Sequence, residues 1–399
     1  LYLTREEERV LAGEEGWAKA KALEVVVKVG EALGAERLQP IVHAHVSGVS
    51  YYNIGEPGRR LLEDLASSGA RFSVPTTVNP IGFDLDAPSS LSVAEIDDRL
   101  VEGQRAIVRA LAFMGARPTF TCTPYYIPDV SGLSRGSSVA WGESSAVVYA
   151  NSVLGLRTNR EGGPLALMAA IAGRTYYYYM HVDSERVPRS SYRLEAPKGY
   201  VIDSARAGVL GELLVTRHRD RNPPMLMARL GVEEFKELAA AVGAAGDLPM
   251  VFVPGLTPER PPESVELEEV IDYREVERRL EELSLPGDVD MVYLGCPHAS
   301  STQVERLASE LSKRTPRPGR PTLLITMSRH EEAKLSAEAR RTLRRYGALL
   351  VRDTCLVVSP VRGGLKVVTE SYKAYFYLSR KGLKVGLEPL EEIVRRLAA

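Results

Sequence analysis

Short runs rich in Val, Leu, Ile and Thr recur along the chain, among them RFSVPTTV, RPTFTCT, MVFVPGL, DMVYLGC, PTLLITM, ALLVRDTCLVV and LKVVTE. They are too short for stable helices and carry the β-branched residues that suit a pleated surface. Between them lie stretches such as SVAEIDDRLVEGQRAIVRALAFMG and STQVERLASELSK, whose apolar residues return at helical spacing. Residues 4 to 34 open the chain with the same helical rhythm before VVVKVGEALGAERLQPIVHAHVSG carries a helix into a strand and a glycine-ended loop. Strands alternating with helices restrict the chain to an α/β architecture. Sheets of that kind place their sites in the loops that follow the strands, and here many of those loops are polar or carry Pro and Gly.

With 399 residues, 44% of them hydrophobic, the chain buries a large core and divides into two or three domains. The proline-rich segment PGLTPERPPESVELEEV, near residues 254 to 270, marks a boundary. It separates a main α/β domain, residues 1–254, carrying the substrate loops and Cys122, from a smaller α/β domain, residues 255–359, carrying Cys296 and Cys355. Residues 360–399 either complete the smaller domain or return to the core. No apolar run approaches the roughly 20 residues that span a bilayer, and the charged opening LTREEERVLAGEE is unlike a leader, so no membrane partner and a cytoplasmic location are expected. Basic and acidic residues balance at 51 and 52, which supplies no general field for nucleic acid.

Cys122, Cys296 and Cys355 each stand where a strand-like run gives way to a turn. That layout suits a three-thiolate iron–sulfur site assembled from distant loops, with one iron left open as a Lewis acid. No CxxC pair is present, so it equally suits three ordinary buried cysteines in a reducing compartment. In NIGEPG, Gly55, Glu56 and Pro57 stand at the start of a helix whose free N–H groups suit an anion, the alternative being a plain turn. Thr77 and Asn79 follow a strand and offer neutral donors to a carboxylate, or form an Asn-Pro turn. Alternation sets His43 and His45 on one strand face, where a satisfied buried pair is expected. The segment from Cys122 to Gly173 holds too much polar and glycine-rich loop to be ordered without closing around something. Within it, a helix starting at Gly142 to Ser145 brings Glu143, Ser144 and Ser145 toward Cys122, while Arg135, Arg157 and Arg160 offer guanidinium groups to a carboxylate or phosphate.

NIGEPG, SVPTTVNPIGFD, CTPYY, AWGESSAVVYANSVLGLRTNREGGP and YLGCPHAS together resemble the aconitase X family in its large subunit, over essentially the whole chain. The resemblance implies an aconitase-like multi-domain α/β/α architecture, with the active site in a cleft between domains and without the swivelling domain. It implies a hydro-lyase with Cys122, Cys296 and Cys355 as ligands of a [4Fe-4S] cluster; the candidates for orienting its substrate are then Gly55, Glu56, Pro57, Asn79, Ser144 and Ser145, with Arg135, Arg157 or Arg160 as charge partners. The catalytic base is then a serine on a small subunit that forms a heterodimer with this chain, and no catalytic residue is assigned here. Members dehydrate (R)-5-phosphomevalonate to trans-anhydromevalonate 5-phosphate, or cis-3-hydroxy-L-proline. The full cysteine set and a composition of 40 Arg to 11 Lys favour the first, a phosphorylated hydroxy acid, in an archaeal mevalonate pathway. A non-catalytic, RNA-binding scaffold is disfavoured by the balanced charge.

Overall fold

A computed structural model of the chain describes residues 1–399. Its architecture is α/β with several bodies, as expected, and two parallel sheets position the site. The larger has five strands in the order Leu349–Arg352, Thr322–Met327, Met291–Leu294, Lys366–Thr369 and Lys384–Leu387, every pair parallel. Alternate residues of its strands serve opposite faces: Val292 and Leu294 meet Leu307, Leu311 and Ile393 on one, while Met291 and Tyr293 meet Ala374 and Leu378 on the other. Helices therefore cover both faces, which is why these strands read as nearly continuous apolar runs. The last forty residues contribute Lys366–Thr369 and Lys384–Leu387 to this sheet, and the helix Leu390–Leu397 packs on it.

The chain enters the sheet at its central strand, Met291–Leu294, builds outward on one side, and then crosses back to lay Lys366–Thr369 on the other. The connection reverses at the carboxyl ends of these two strands, and a crevice opens at such a point. Cys296 follows one strand and Ser371 the other, and the Ser371 hydroxyl donates across the crevice to the Cys296 carbonyl.

The smaller parallel sheet has the order Thr76–Val78, Ala44–Val46, Ala140–Trp141. Residues 117–121 run alongside it, with Arg117 bridging to Thr77 and the Thr121 N–H donating to the Val78 carbonyl at 3.0 Å. Its carboxyl ends lead into Ser47, Asn79, Cys122 and Gly142. Ile81 pairs with Thr354, and Leu91 packs in the same core as Cys296 and Cys355, so the two sheets are joined around their carboxyl edges. A third parallel sheet, Met225–Met227, Ser190–Glu195 and Leu267–Asp272, supports the helices Ser204–Arg217 and Val232–Ala245.

Candidate active site

A cavity of about 520 Å³ lies between the facing carboxyl edges of the two sheets. Each sheet supplies part of its wall: Ser47, Asn79 and Glu143 from the smaller, Cys296, Cys355 and Lys373 from the larger. Its floor is made possible by glycine. A Cβ at Gly142 would stand 2.8 Å from the Ser47 hydroxyl and 3.0 Å from the Gly162 carbonyl, and one at Gly163 would run into the Ser47 carbonyl. The loop after Ala44–Val46 therefore lies directly against the amino end of the helix Gly162–Ala172.

Lys373 and Glu143 form a buried ion pair between the two sheets. The Glu143 Oε1 also accepts from Ser145 at 3.2 Å, and its Oε2 accepts from Asn79 Nδ2 at 2.7 Å. That bond orients the Asn79 amide, leaving its Oδ1 to accept from His45 Nε2 at 2.8 Å. His45 Nδ1 is then the acceptor for the Thr77 hydroxyl, also at 2.8 Å. Burial holds the His45 imidazole down at about 4, so this ring is neutral and its tautomer is set by its partners. Burial pushes the Glu143 carboxyl up, but the Lys373 charge and the bonds from Lys373 and Asn79 outweigh it and hold the group at about 2. The same Glu143 charge raises Lys373 against the opposing effect of burial. The pair is thus ionised throughout the neutral range.

The three cysteines do meet at this cavity. Yet nowhere in the chain is a group of three or more His, Cys, Asp or Glu side chains arranged to hold a metal ion, and this corrects the expectation of a [4Fe-4S] cluster on Cys122, Cys296 and Cys355. The thiols are engaged otherwise. Cys296 and Cys355 are neighbours, and their mutual interaction raises the first and lowers the second. Cys122 Sγ accepts the His298 N–H at 3.1 Å, while burial and the Glu143 charge push its thiol up. All three are free and buried.

Of the other residues singled out in the sequence, Asn79, Ser144 and Arg160 line the cavity, and Ser145 stands behind Ser144 with its hydroxyl 3.1 Å from Lys373 Nζ. Arg160 donates to the carbonyls of Gly246 and Gly243 at 2.7 and 2.9 Å, so no carboxylate neutralises it. Gly55, with φ of 56°, kinks the helix Tyr51–Ser67. The kink leaves Asn53 on the cavity and turns Glu56 and Pro57 away, Glu56 pairing with Arg59 and Arg60. Arg157 pairs with Asp183 and donates to the His181 carbonyl at 3.0 Å, and Arg135 lies exposed beside Gly155. His43 and His45 both pack edge-on to Trp141, with ring centroids 6.0 Å apart in each case. His45 is fully satisfied, whereas His43 accepts from Trp141 Nε1 at 3.1 Å and leaves its Nε2 without a partner. Sequence reasoning passed over Lys373. A lysine in the otherwise aromatic and aliphatic SYKAYFY was the available signal.

Two opposed parallel sheets, with a polar cavity at their carboxyl edges and a buried Lys–Glu pair bridging them, define an enzyme whose site is shared between domains. The chain belongs to the aconitase X family. Models of the aconitase X first, second and third domains match residues 1–184, 188–281 and 289–399. The chain is 55% identical to the phosphomevalonate dehydratase large subunit of Aeropyrum pernix over 98% of its own length and 99% of that protein. Identity to the protein of the same name from Thermococcus kodakarensis is 37%, covering 99% of each. The cis-3-hydroxy-L-proline dehydratase of Pseudomonas aeruginosa is 34% identical over 88% of this chain, which spans 61% of that relative. Among solved structures, Thermococcus kodakaraensis aconitase X in its holo-form superposes with a TM-score of 0.89 over the full length of both chains, at 37% identity.

Proposed function

We propose that this chain is the large subunit of a hydro-lyase that dehydrates (R)-5-phosphomevalonate to trans-anhydromevalonate 5-phosphate in an archaeal mevalonate pathway. The observation that carries this reading is the 55% identity, end to end, with a phosphomevalonate dehydratase large subunit. The hydroxyproline dehydratases are weaker relatives and extend well beyond the region this chain matches. A small subunit completes the active site and carries the base. No helix is long and apolar enough to cross a membrane. The free thiols suit a reducing cytoplasm.

The chemistry fits the cavity. The substrate is anionic at both ends, and two cationic side chains, Arg160 and Lys373, line the site. Arg160 lies beside the amino end of the helix Gly162–Ala172, where N–H groups without intrahelical partners favour negative charge, and this end is assigned to the phosphate. Asn79, Ser144 and Ser145 orient the rest of the molecule next to the Lys373–Glu143 pair. Loss of the C2 proton places charge on the adjacent carboxylate, and departure of the C3 hydroxyl then completes the double bond.

The test is incubation of the co-expressed two-subunit complex with (R)-5-phosphomevalonate, following the unsaturated acid by NMR. Turnover of cis-3-hydroxy-L-proline and not of phosphomevalonate would overturn the assignment. Arg160→Ala is expected to raise KM roughly 10- to 100-fold, the worth of a charged hydrogen-bonding group, with a smaller effect on kcat. Arg157→Ala, which removes a pair with the exposed Asp183 away from the cavity, is expected to leave KM unchanged and to cost no more than about 1 kcal/mol in thermal unfolding.

A further inference from the structure

The helix Val232–Ala245 packs against the helix Tyr372–Arg380 and carries two buried ionisable residues side by side, Lys236 and Glu237. Lys236 Nζ donates to the His298 carbonyl at 3.3 Å and to Gln303 Oε1, in the first turn of the helix Ser301–Ser312. Glu237 Oε1 accepts from Gln303 Nε2 at 3.1 Å and lies 3.4 Å from Lys236 Nζ. Glu237 Oε2 is buried without a donor. Glu370, which follows the strand Lys366–Thr369, is buried as well, and the Glu237 charge acts on it. Two buried carboxyl groups therefore face a single buried cation.

We propose that Glu237 and Glu370 share one proton, the Glu370 hydroxyl donating to Glu237 Oε2, and that this acid–carboxylate pair is a proton-tightened latch between the helix Val232–Ala245 and the cavity wall. Glu237 is the acceptor because its other oxygen already accepts from Gln303. A proton on Glu370 supplies the donor that Oε2 lacks and removes the uncompensated charge. Neighbouring elements do not supply a substitute. Glu233 is satisfied by the hydroxyls of Tyr126 and Ser300 at 2.9 and 2.8 Å, and Asp203 by Arg206 at 2.7 Å. Arg306 stands at the surface, 4.0 Å from Glu234. Burial, then the Glu237 charge, pushes the Glu370 carboxyl up to about 8, with Lys236 and Arg306 opposing and Asp203 reinforcing the shift.

The latch holds two segments of the wall. Glu370 precedes Ser371, whose hydroxyl donates to the Cys296 carbonyl, and lies three residues before Lys373. Lys236 holds His298, whose N–H donates to Cys122 Sγ at 3.1 Å. Local opening that admits water returns Glu370 to its ordinary 4.5, so between about 4.5 and 8 the closed form binds one more proton than the open form. The stabilisation is full below 4.5 and is lost as the pH rises through about 8.

The test is hydrogen exchange of residues 295–303 in the two-subunit complex, wild type against Glu370→Gln, whose amide donates to Glu237 at every pH. The ratio of their opening constants, in which intrinsic exchange rates cancel, is expected to rise up to about tenfold per pH unit between about 5 and 8 and to level off above. Infrared spectra at pH 7 are expected to show a carboxylic-acid carbonyl band in the wild type that Glu370→Gln removes. Glu237→Gln is the second variant: with one carboxylate left to one lysine, Glu370 ionises, and the same band and the same pH dependence are expected to disappear. An acid band untouched by either variant would show Glu370 ionised in the fold and overturn the shared proton. Loss of the band with an exchange ratio independent of pH would overturn the latch. Neither result depends on the reaction assigned to the chain.

Discussion

Glu143→Gln is expected to destabilise the folded chain by about 3–5 kcal/mol, the cost of removing one partner from a buried ion pair. The loss arises less from the contact itself than from what remains, the Lys373 ammonium enclosed between two sheets without a counter-charge. The amide still accepts from Asn79 or Ser145 but does not balance that charge, and the Thr77–His45–Asn79 chain loses the carboxylate that orients it. Thermal or denaturant unfolding measures the change. Adding Lys373→Met to Glu143→Gln is expected to recover most of the lost stability, since neither charge is then buried alone. The pH dependence has a defined sign. The Glu143 carboxyl lies at about 2 in the folded chain against an ordinary 4.5, so its contribution is full above about 4.5 and disappears as the pH falls toward 2. Glu143→Gln flattens that acid limb, and an unchanged limb would mean that the pair contributes nothing to acid stability.

The pair also shows what the sequence discloses and what it withholds. Strand-like runs such as DMVYLGC and PTLLITM became the strands Met291–Leu294 and Thr322–Met327, because burial on both faces leaves an unbroken apolar signature. That Asn79, Glu143, Ser144 and three cysteines lie near one another was legible as well, since each follows a strand and parallel strands present their carboxyl ends together. Direction was not legible. The density of polar residues between Cys122 and Gly173 announced a site, but Arg157 turns to Asp183 whereas Arg160 reaches the cavity, only three residues on. Nor could the sequence settle how the thiols are used. The proximity of Cys296 to Cys355 and the bond from the His298 N–H to Cys122 depend on contacts between distant segments. Lys373 was invisible for the same reason. Its importance comes from the chain crossing back to place Lys366–Thr369 beside Met291–Leu294, which no local pattern around SYKAYFY records.

Gly163→Ala is expected to lower kcat roughly 10²-fold, the scale on which a displacement of about 1 Å in a site acts. An added Cβ would run into the Ser47 carbonyl, with the Ser47 hydroxyl 3.2 Å away. These are backbone and a short side chain whose hydroxyl is already committed to the Gly142 carbonyl at 2.9 Å, so neither yields without moving the loop. Relief comes by separating the helix Gly162–Ala172 from the strand Ala44–Val46, which pack directly together. That motion shifts the wall carrying Arg160 relative to the wall carrying Lys373, and so changes the span offered to a substrate charged at both ends. Overpacking of this kind costs about 1–3 kcal/mol, less than the Glu143 substitution, so the enzyme remains folded while catalysis suffers. Gly363→Ala provides the matched control: it meets nothing within 4 Å and is expected to change neither stability nor kcat. Loss of activity without loss of fold in the first, and of neither in the second, would place the catalytic geometry in the contact between Ser47 and the start of this helix; full activity in Gly163→Ala would show that the cavity tolerates a separation of its walls.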